Sequence, residues 1–297
     1  MRFDSAGQAK KYQVFPQGLF YFGQTGDGQI DVGQIGLSTT EVVSDDKPRS
    51  AVVSRIENAA VSPQPIVVIP IKILFDDAEV TPRAIWEARL QKRFNEVSRL
   101  FKKYCFVEFQ IVAVESWHSD ASITQLDKAL KEFERQVDSA PARLAIGFTA
   151  QQRKKLQDQH LGGTRGPLHT HLLVRERVNK NTERECLEVL VHELGHFLGA
   201  VHSPEQNSVM RPVLGDRYAR STRFRIVFDP LNTMAMSLVS QALVTQPDLR
   251  FGQLPSTTQD ELRRLYIDLA RARPDDPAAP IYLRMLGGNH PSLPALR

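Results

Sequence analysis

His192, Glu193, His196, Gly199 and His202 fall within one eleven-residue run, His-Glu-Leu-Gly-His-Phe-Leu-Gly-Ala-Val-His. On a helix, residues four apart share a face, so His192 and His196 can hold one cation between them. Glu193 lies one position round from that face. It can reach a water at the cation without binding the metal itself, which is the placement a general base needs. His202 is too far along a straight helix to reach the same ion. Gly199 resolves this, because a glycine takes the left-handed conformation that ends a helix and reverses the chain without a Cβ clash. Three imidazoles leave a fourth zinc position open, the arrangement of a catalytic site and not of a closed structural one. The chemistry implied is hydrolysis by a metal-activated water, with Glu193 as its base.

The elements around this run must hold it on a core. Leu187, Leu190, Val191, Leu194 and Leu198 form an apolar stripe at helical spacing, so the helix seats on one face while the ligands look into a cleft. Upstream, the β-branched run 66–75 predicts a buried strand. Thr81 and Pro82 read as N-cap and first residue of a helix to about Lys103, with Ile85, Leu90, Phe94, Val97, Leu100 and Phe101 turned inward. Further strands are expected over 107–114, 143–148 and 169–178, with a helix-prone segment at 123–137. Downstream, 231–244 reads as a helix, and Thr258 with Glu261 as the capping box of a terminal helix that buries Leu262, Leu265, Tyr266 and Leu269. Residues 1–62 form a separate glycine-rich section of short strands and tight turns, and 274–297 reads as a proline-punctuated tail.

The string from His192 to His202, followed by Ser203 and then by Met210-Arg211-Pro212, resembles the metzincin clan of zinc endopeptidases, and within it the matrixins. The resemblance covers about residues 66–272, with its specific motifs confined to 187–212. It implies an α+β, zincin-type fold: a twisted mixed sheet with an antiparallel edge strand, a long helix and a zinc-binding helix, above an irregular and helical lower subdomain. The catalytic domain would then span 63–273, dividing near residue 199. One Zn2+ would be held by His192, His196 and His202. Met210 would be the turn methionine, an apolar floor beneath the imidazoles, and Gly162, Gly163 and Thr164 would lie on the edge strand that pairs with an extended protein or peptide substrate. Some metzincins use a tyrosine near that turn, for which Tyr218 is the nearest candidate. The long segment between Met210 and the last helix departs from compact matrixins and leaves cleavage preference open. The resemblance also implies a secreted or cell-envelope protein, with a cytoplasmic one left open, and a monomer is expected.

Other readings compete with this one. A zinc-containing binding module could keep the fold without turnover, but such a protein has no use for Glu193. A nucleic-acid-binding role fits poorly, because the net charge is only +4 and the basic residues are scattered without interleaved aromatics. No apolar run is long enough to span a bilayer, and Met1-Arg2-Phe3-Asp4-Ser5 lacks the apolar core of a signal peptide. His169 and His171, with His160 nearby, could form a second metal site but read better as surface or sheet-face histidines. Asp27 reads as a turn residue. Cys105 and Cys186 are expected to stay unpaired, at opposite ends of the domain.

Overall fold

The computed structural model describes residues 64–77, 81–120, 122–150, 161–176 and 181–287, together with the backbone of four strands nearer the N-terminus. The chain divides into two compact units, Met1–Pro65 and Ile66–Arg297. In the first, β1 (Arg2–Phe3), β2 (Ala9–Phe15), β3 (Gly18–Gln24) and β4 (Ile30–Ile35) form an antiparallel sheet in sequential order. The short strands agree with its glycine-rich sequence, and the segments that join them lie outside the described residues. Asp27 and His160 lie outside the described residues.

The second unit is built on a five-stranded sheet of order β6-β5-β7-β9-β8. Its strands are β5 (Val67–Asp76), β6 (Val107–Trp117), β7 (Leu144–Thr149), β8 (Gly162–Thr164) and β9 (His171–Arg175). All pairs are parallel except β8 with β9. Parallel strands carry helices on both faces, so they are buried on both sides, and every residue of β7 and β9 is buried here. One face packs against α1 (Arg83–Cys105) and α3 (Glu183–Phe197), where Ile69, Ile71 and Ile73 meet Leu90, Phe94 and Val97. The other face is covered by α2 (Leu126–Gln136), whose Leu130 and Phe133 pack on Leu74, Ala145 and Leu173. Below α3 lie three further helices, α4 (Pro230–Thr245), α5 (Ser256–Ala272) and α6 (Ala278–Met285). The second unit is thus mixed α+β, with six helices among the described residues around a mostly parallel sheet.

Several sequence expectations need correction in detail. Helix α1 starts at Arg83 with Pro82 at the cap position, one residue later than the Thr81 reading. Its buried stripe runs from Trp86 through Leu90, Phe94, Val97 and Phe101, which leaves Ile85 on the outer side and 59% exposed. Helix α5 begins at Ser256, so Thr258 lies inside the first turn and no capping box forms. Gln259 instead donates to the carbonyls of Gly252 and Leu254, at 3.2 and 2.8 Å. Within the span 274–297 expected as a tail, α6 is instead a helix that buries Ala279, Tyr282 and Leu283 in the main core. Cys105 and Cys186 are both free and buried.

Candidate metal centre and active site

Helix α3 is set at its start by a capping box. The Thr182 hydroxyl accepts from the Glu185 amide, and the Glu185 carboxylate accepts from the Thr182 amide at 2.8 Å. Leu190, Val191 and Leu194 then bury completely, which turns His192 and His196 toward the opposite face. The helix ends at Leu198, and Gly199 follows with φ +92°, a value a side chain rarely tolerates. A β-carbon there would also meet the Tyr266 hydroxyl at 3.0 Å, and that hydroxyl donates to the Gly199 carbonyl at 2.7 Å. The reversal carries His202 back towards the two helical histidines.

The three imidazoles converge. Ring centroids lie 4.6 Å apart for His192 and His196, 5.3 Å for His192 and His202, and 4.9 Å for His196 and His202. One potential ligand atom from each fits within 4.8 Å of the others, and no other group of three metal-binding side chains forms among the described residues. The second nitrogen of each ring is engaged elsewhere. Nδ1 of His192 donates to the Val209 carbonyl and Nδ1 of His196 to the Ala200 carbonyl, both at 2.8 Å, while Nδ1 of His202 bonds the Asp276 carboxylate. These acceptors fix the tautomers and leave the Nε2 atoms to converge, with those of His192 and His196 3.0 Å apart. Three imidazoles whose Nε2 atoms converge at this spacing suit zinc.

Electrostatics agree with that use. Burial, reinforced by the neighbouring imidazoles, holds His192 well below the ordinary histidine range, and His196 is lowered to about 3 by burial and by His202. Both rings are therefore neutral at physiological pH. Burial pushes the Glu193 carboxyl up to about 8. Glu193 packs against the edge strand so closely that a β-carbon on Gly162 would sit 2.5 Å from its Cγ. Only glycine at 162 leaves the carboxylate that place. Asp276 is raised by burial but lowered further by its bond to His202, so that its net shift is downward and it stays a carboxylate.

These shifts predict the pH dependence of the metal-free fold. Unfolded imidazoles take up protons near pH 6.5, whereas His192 and His196 resist until far lower, so stability falls as pH drops below about 6.5. Glu193 acts in the opposite sense. Folded, it keeps its proton up to about pH 8, so its contribution is full below the ordinary carboxylate value of 4.5 and lost as pH rises to 8. Two imidazoles outweigh one carboxyl on the acid side. The chelated protein should therefore show its highest Tm near pH 6.5, and Glu193→Gln should remove the decline on the alkaline side. A Tm at pH 6.5 no higher than those at pH 5 and pH 8 in calorimetry would contradict this.

The segment after His202 is tied down from several directions. The Ser203 amide donates to the Met210 carbonyl at 2.8 Å, closing the loop. Asn232 on α4 bonds both the amide and the carbonyl of Val201, each at 2.8 Å, and also takes the Asp229 carboxylate. Arg211 reaches back to the buried Glu188 of α3 at 2.6 Å. Met210 is fully buried under α3, its sulfur 2.7 Å from where a β-carbon on Gly195 would lie. Met236 is also buried, but in α4 and away from the cleft lining.

The cleft over the histidines measures about 260 Å³. One wall is Gly162, Gly163 and Thr164, the short strand β8 at the sheet edge. A second wall is formed by Pro277 and by Ile281 and Tyr282 of α6. A larger basin of about 700 Å³ lies beside Arg143, His169 and Arg250, but no triad of metal-binding side chains forms there. Tyr218 is not part of the active cleft. It lies under the Arg211 guanidinium, 4.8 Å from ring centre to the charged carbon, and against Phe224. Tyr282 is the tyrosine that faces Glu193, and burial followed by that neighbouring carboxyl raises its hydroxyl above the ordinary range. His171 is a sheet-face residue, bonded to the Val137 carbonyl at 2.9 Å and set against the Phe133 ring.

Asp276 and Tyr282 are the site residues that sequence reasoning missed. Pro274, Pro277 and Pro280 within seven residues read as a break, yet prolines in a first helical turn remove no intrahelical bond. The usable signal was the spacing of Ala279, Tyr282, Leu283 and Leu286.

Comparison with known proteins adds the following. No curated protein matches the chain. An archaemetzincin from Methanopyrus kandleri is similar at 14% identity and a TM-score of 0.38, over 58% of this chain and 94% of its own. A chaperone-substrate complex is similar at 9% identity and a TM-score of 0.41, over 76% of this chain and 37% of its own. Likeness at these scores adds nothing to the argument. The family profile Peptidase_M10: Matrixin matches residues 78–234, more than half of the chain and the whole run from His192 to Met210. The chain therefore belongs to the matrixin family of peptidases.

Proposed function

We propose that this protein is a zinc endopeptidase, with His192, His196 and His202 as ligands of one ion, Glu193 as general base and Met210 as the apolar floor of the site. The observation that carries the reading is the convergence of three imidazoles beside a buried carboxylate, in a cleft walled by a sheet-edge strand. Zinc bound there would supply Lewis-acid activation of a water and of the scissile carbonyl. Glu193 takes the proton released by the attacking water and returns it to the leaving amine. Burial favours the protonated form of Glu193, and a zinc cation beside it would favour the carboxylate, so the two influences oppose each other in a group that must both accept and donate. Backbone groups on the outer edge of β8 bind an extended peptide by strand addition. A substrate held along its length on such an edge is cut internally, which is why an endopeptidase is the form proposed.

No helix among the described residues is long and apolar enough to cross a membrane. In keeping with the family resemblance, we take the enzyme as a secreted or envelope protein that works as a monomer. The deciding experiment is cleavage mapping on a peptide library, with chelator and after zinc is returned. Internal cuts that vanish with chelator and reappear with zinc are expected. Absence of any chelator-sensitive cleavage by zinc-loaded protein would refute the proposal.

A further inference from the structure

We infer that Asp276 is the positioning residue of the metal centre: its carboxylate holds His202, and through it the last two helices become part of the zinc site. The inference rests on the proposed reading of the three histidines as ligands. It concerns a residue beyond the family-matched segment, which stops at 234.

The three histidines differ in what holds them. His192 and His196 ride on α3, a continuous helix with a fixed axis, and their outer nitrogens meet neutral backbone carbonyls. His202 rides on irregular chain, and its side chain is still 23% exposed. Among the three it alone has a charged partner. That partner is 8% exposed at its side chain and is itself oriented, because its Oδ1 accepts the Ala278 amide at 2.9 Å while Oδ2 takes His202. The Asp276 amide also donates to the Arg273 carbonyl at 3.2 Å, so the turn between α5 and α6 is closed around it. A carboxylate accepts only, so it requires the proton on Nδ1 and leaves Nε2 bare for the metal. It also adds one negative charge beside the cation, which neither carbonyl does.

An alternative explanation is that Asp276 serves only the start of α6. The two roles predict different outcomes in Asp276→Asn. An amide nitrogen facing His202 offers a proton where the ring already has one, which favours the tautomer that blocks Nε2. If the amide turns round, its NH2 faces the Ala278 amide and the helix start is lost instead.

The test is zinc affinity by chelator competition on the full chain, with 15N-imidazole NMR of the metal-free protein to read the His202 tautomer. Asp276→Asn should weaken zinc binding about 10–100-fold, the usual cost of removing such a partner, and should move His202 away from the Nδ1-protonated form. Asp276→Ser, which keeps an oxygen for the Ala278 amide, should show the same loss of zinc and serves if the Asn chain fails to fold. Zinc affinity within twofold of wild type in these variants, whatever their thermal stability, would overturn the inference. His192→Ala is the control for the underlying reading. If it also leaves zinc binding unchanged, the ligand assignment is wrong. If it abolishes zinc binding while the Asp276 variants do not, only the role of Asp276 fails.

Discussion

Glu193→Gln is expected to lower peptide hydrolysis by at least ~10²-fold while zinc content stays at the wild-type level. The substitution keeps the size of the side chain and one carbonyl oxygen, but removes the group that accepts a proton. Nothing else in the cleft can take over. Tyr282 faces the same space, but its hydroxyl is held above the ordinary range by burial and by the Glu193 carboxyl, so it stays protonated. The neighbouring histidines are committed at Nδ1 to Val209, Ala200 and Asp276. The measurement is kcat/KM on a cleaved peptide beside elemental analysis of the same sample. Turnover within a few-fold of wild type at full zinc content would remove Glu193 from the mechanism.

The second large effect is on stability. Arg93 of α1 has a side chain only 1% exposed and forms a forked pair with Glu176, at 2.5 and 3.0 Å, with Glu183 at 3.0 Å beside it. Burial alone would lower its proton affinity, but Glu176 more than offsets this and keeps the guanidinium charged. Glu176 follows β9 and Glu183 is the first residue of α3, so one cation joins the long helix, the sheet and the start of the histidine-bearing helix. Arg93→Leu leaves the Glu176 carboxylate buried with only Arg89 nearby, at 3.4 Å. A cost of about 3–5 kcal/mol is expected, as for other buried pairs broken from one side, which is a fall in Tm on the order of 10 °C for a unit of this size. Replacing Glu176 by Gln as well should restore part of it, because the stranded charge is then gone. A loss below about 1 kcal/mol in denaturant unfolding would show that Arg89 suffices.

The legibility of this chain follows the range over which its constraints act. His192, Glu193, His196 and Gly199 are tied by helical spacing and one reversal, so their arrangement is written in consecutive residues. Strands β5, β7 and β9 are also plain, because burial on both faces demands unbroken apolar runs. Pairing across long separations is not written that way. Asp276 meets His202 from 74 residues away, and no local pattern announces it. Helix caps were misread for a smaller reason: Thr81 and Thr258 lie within two residues of helix starts that tertiary packing set elsewhere. The capping box that does form, at Thr182 and Glu185, has the same local form, so the residue pattern alone does not tell a cap from a near miss. Ile85 failed by phase alone, one position off the stripe that begins at Trp86.

The position of Asp276 in the chain also bears on biosynthesis. During translation the run from His192 to His202 is made first, and the carboxylate that steadies its last member follows more than seventy residues later. At roughly 5–20 residues per second, that is an interval of several seconds. Throughout it, the wall formed by Pro277, Ile281 and Tyr282 is also missing from the cleft. On the proposed reading, the metal centre is therefore complete only when the segment that carries Asp276 and α6 has been made.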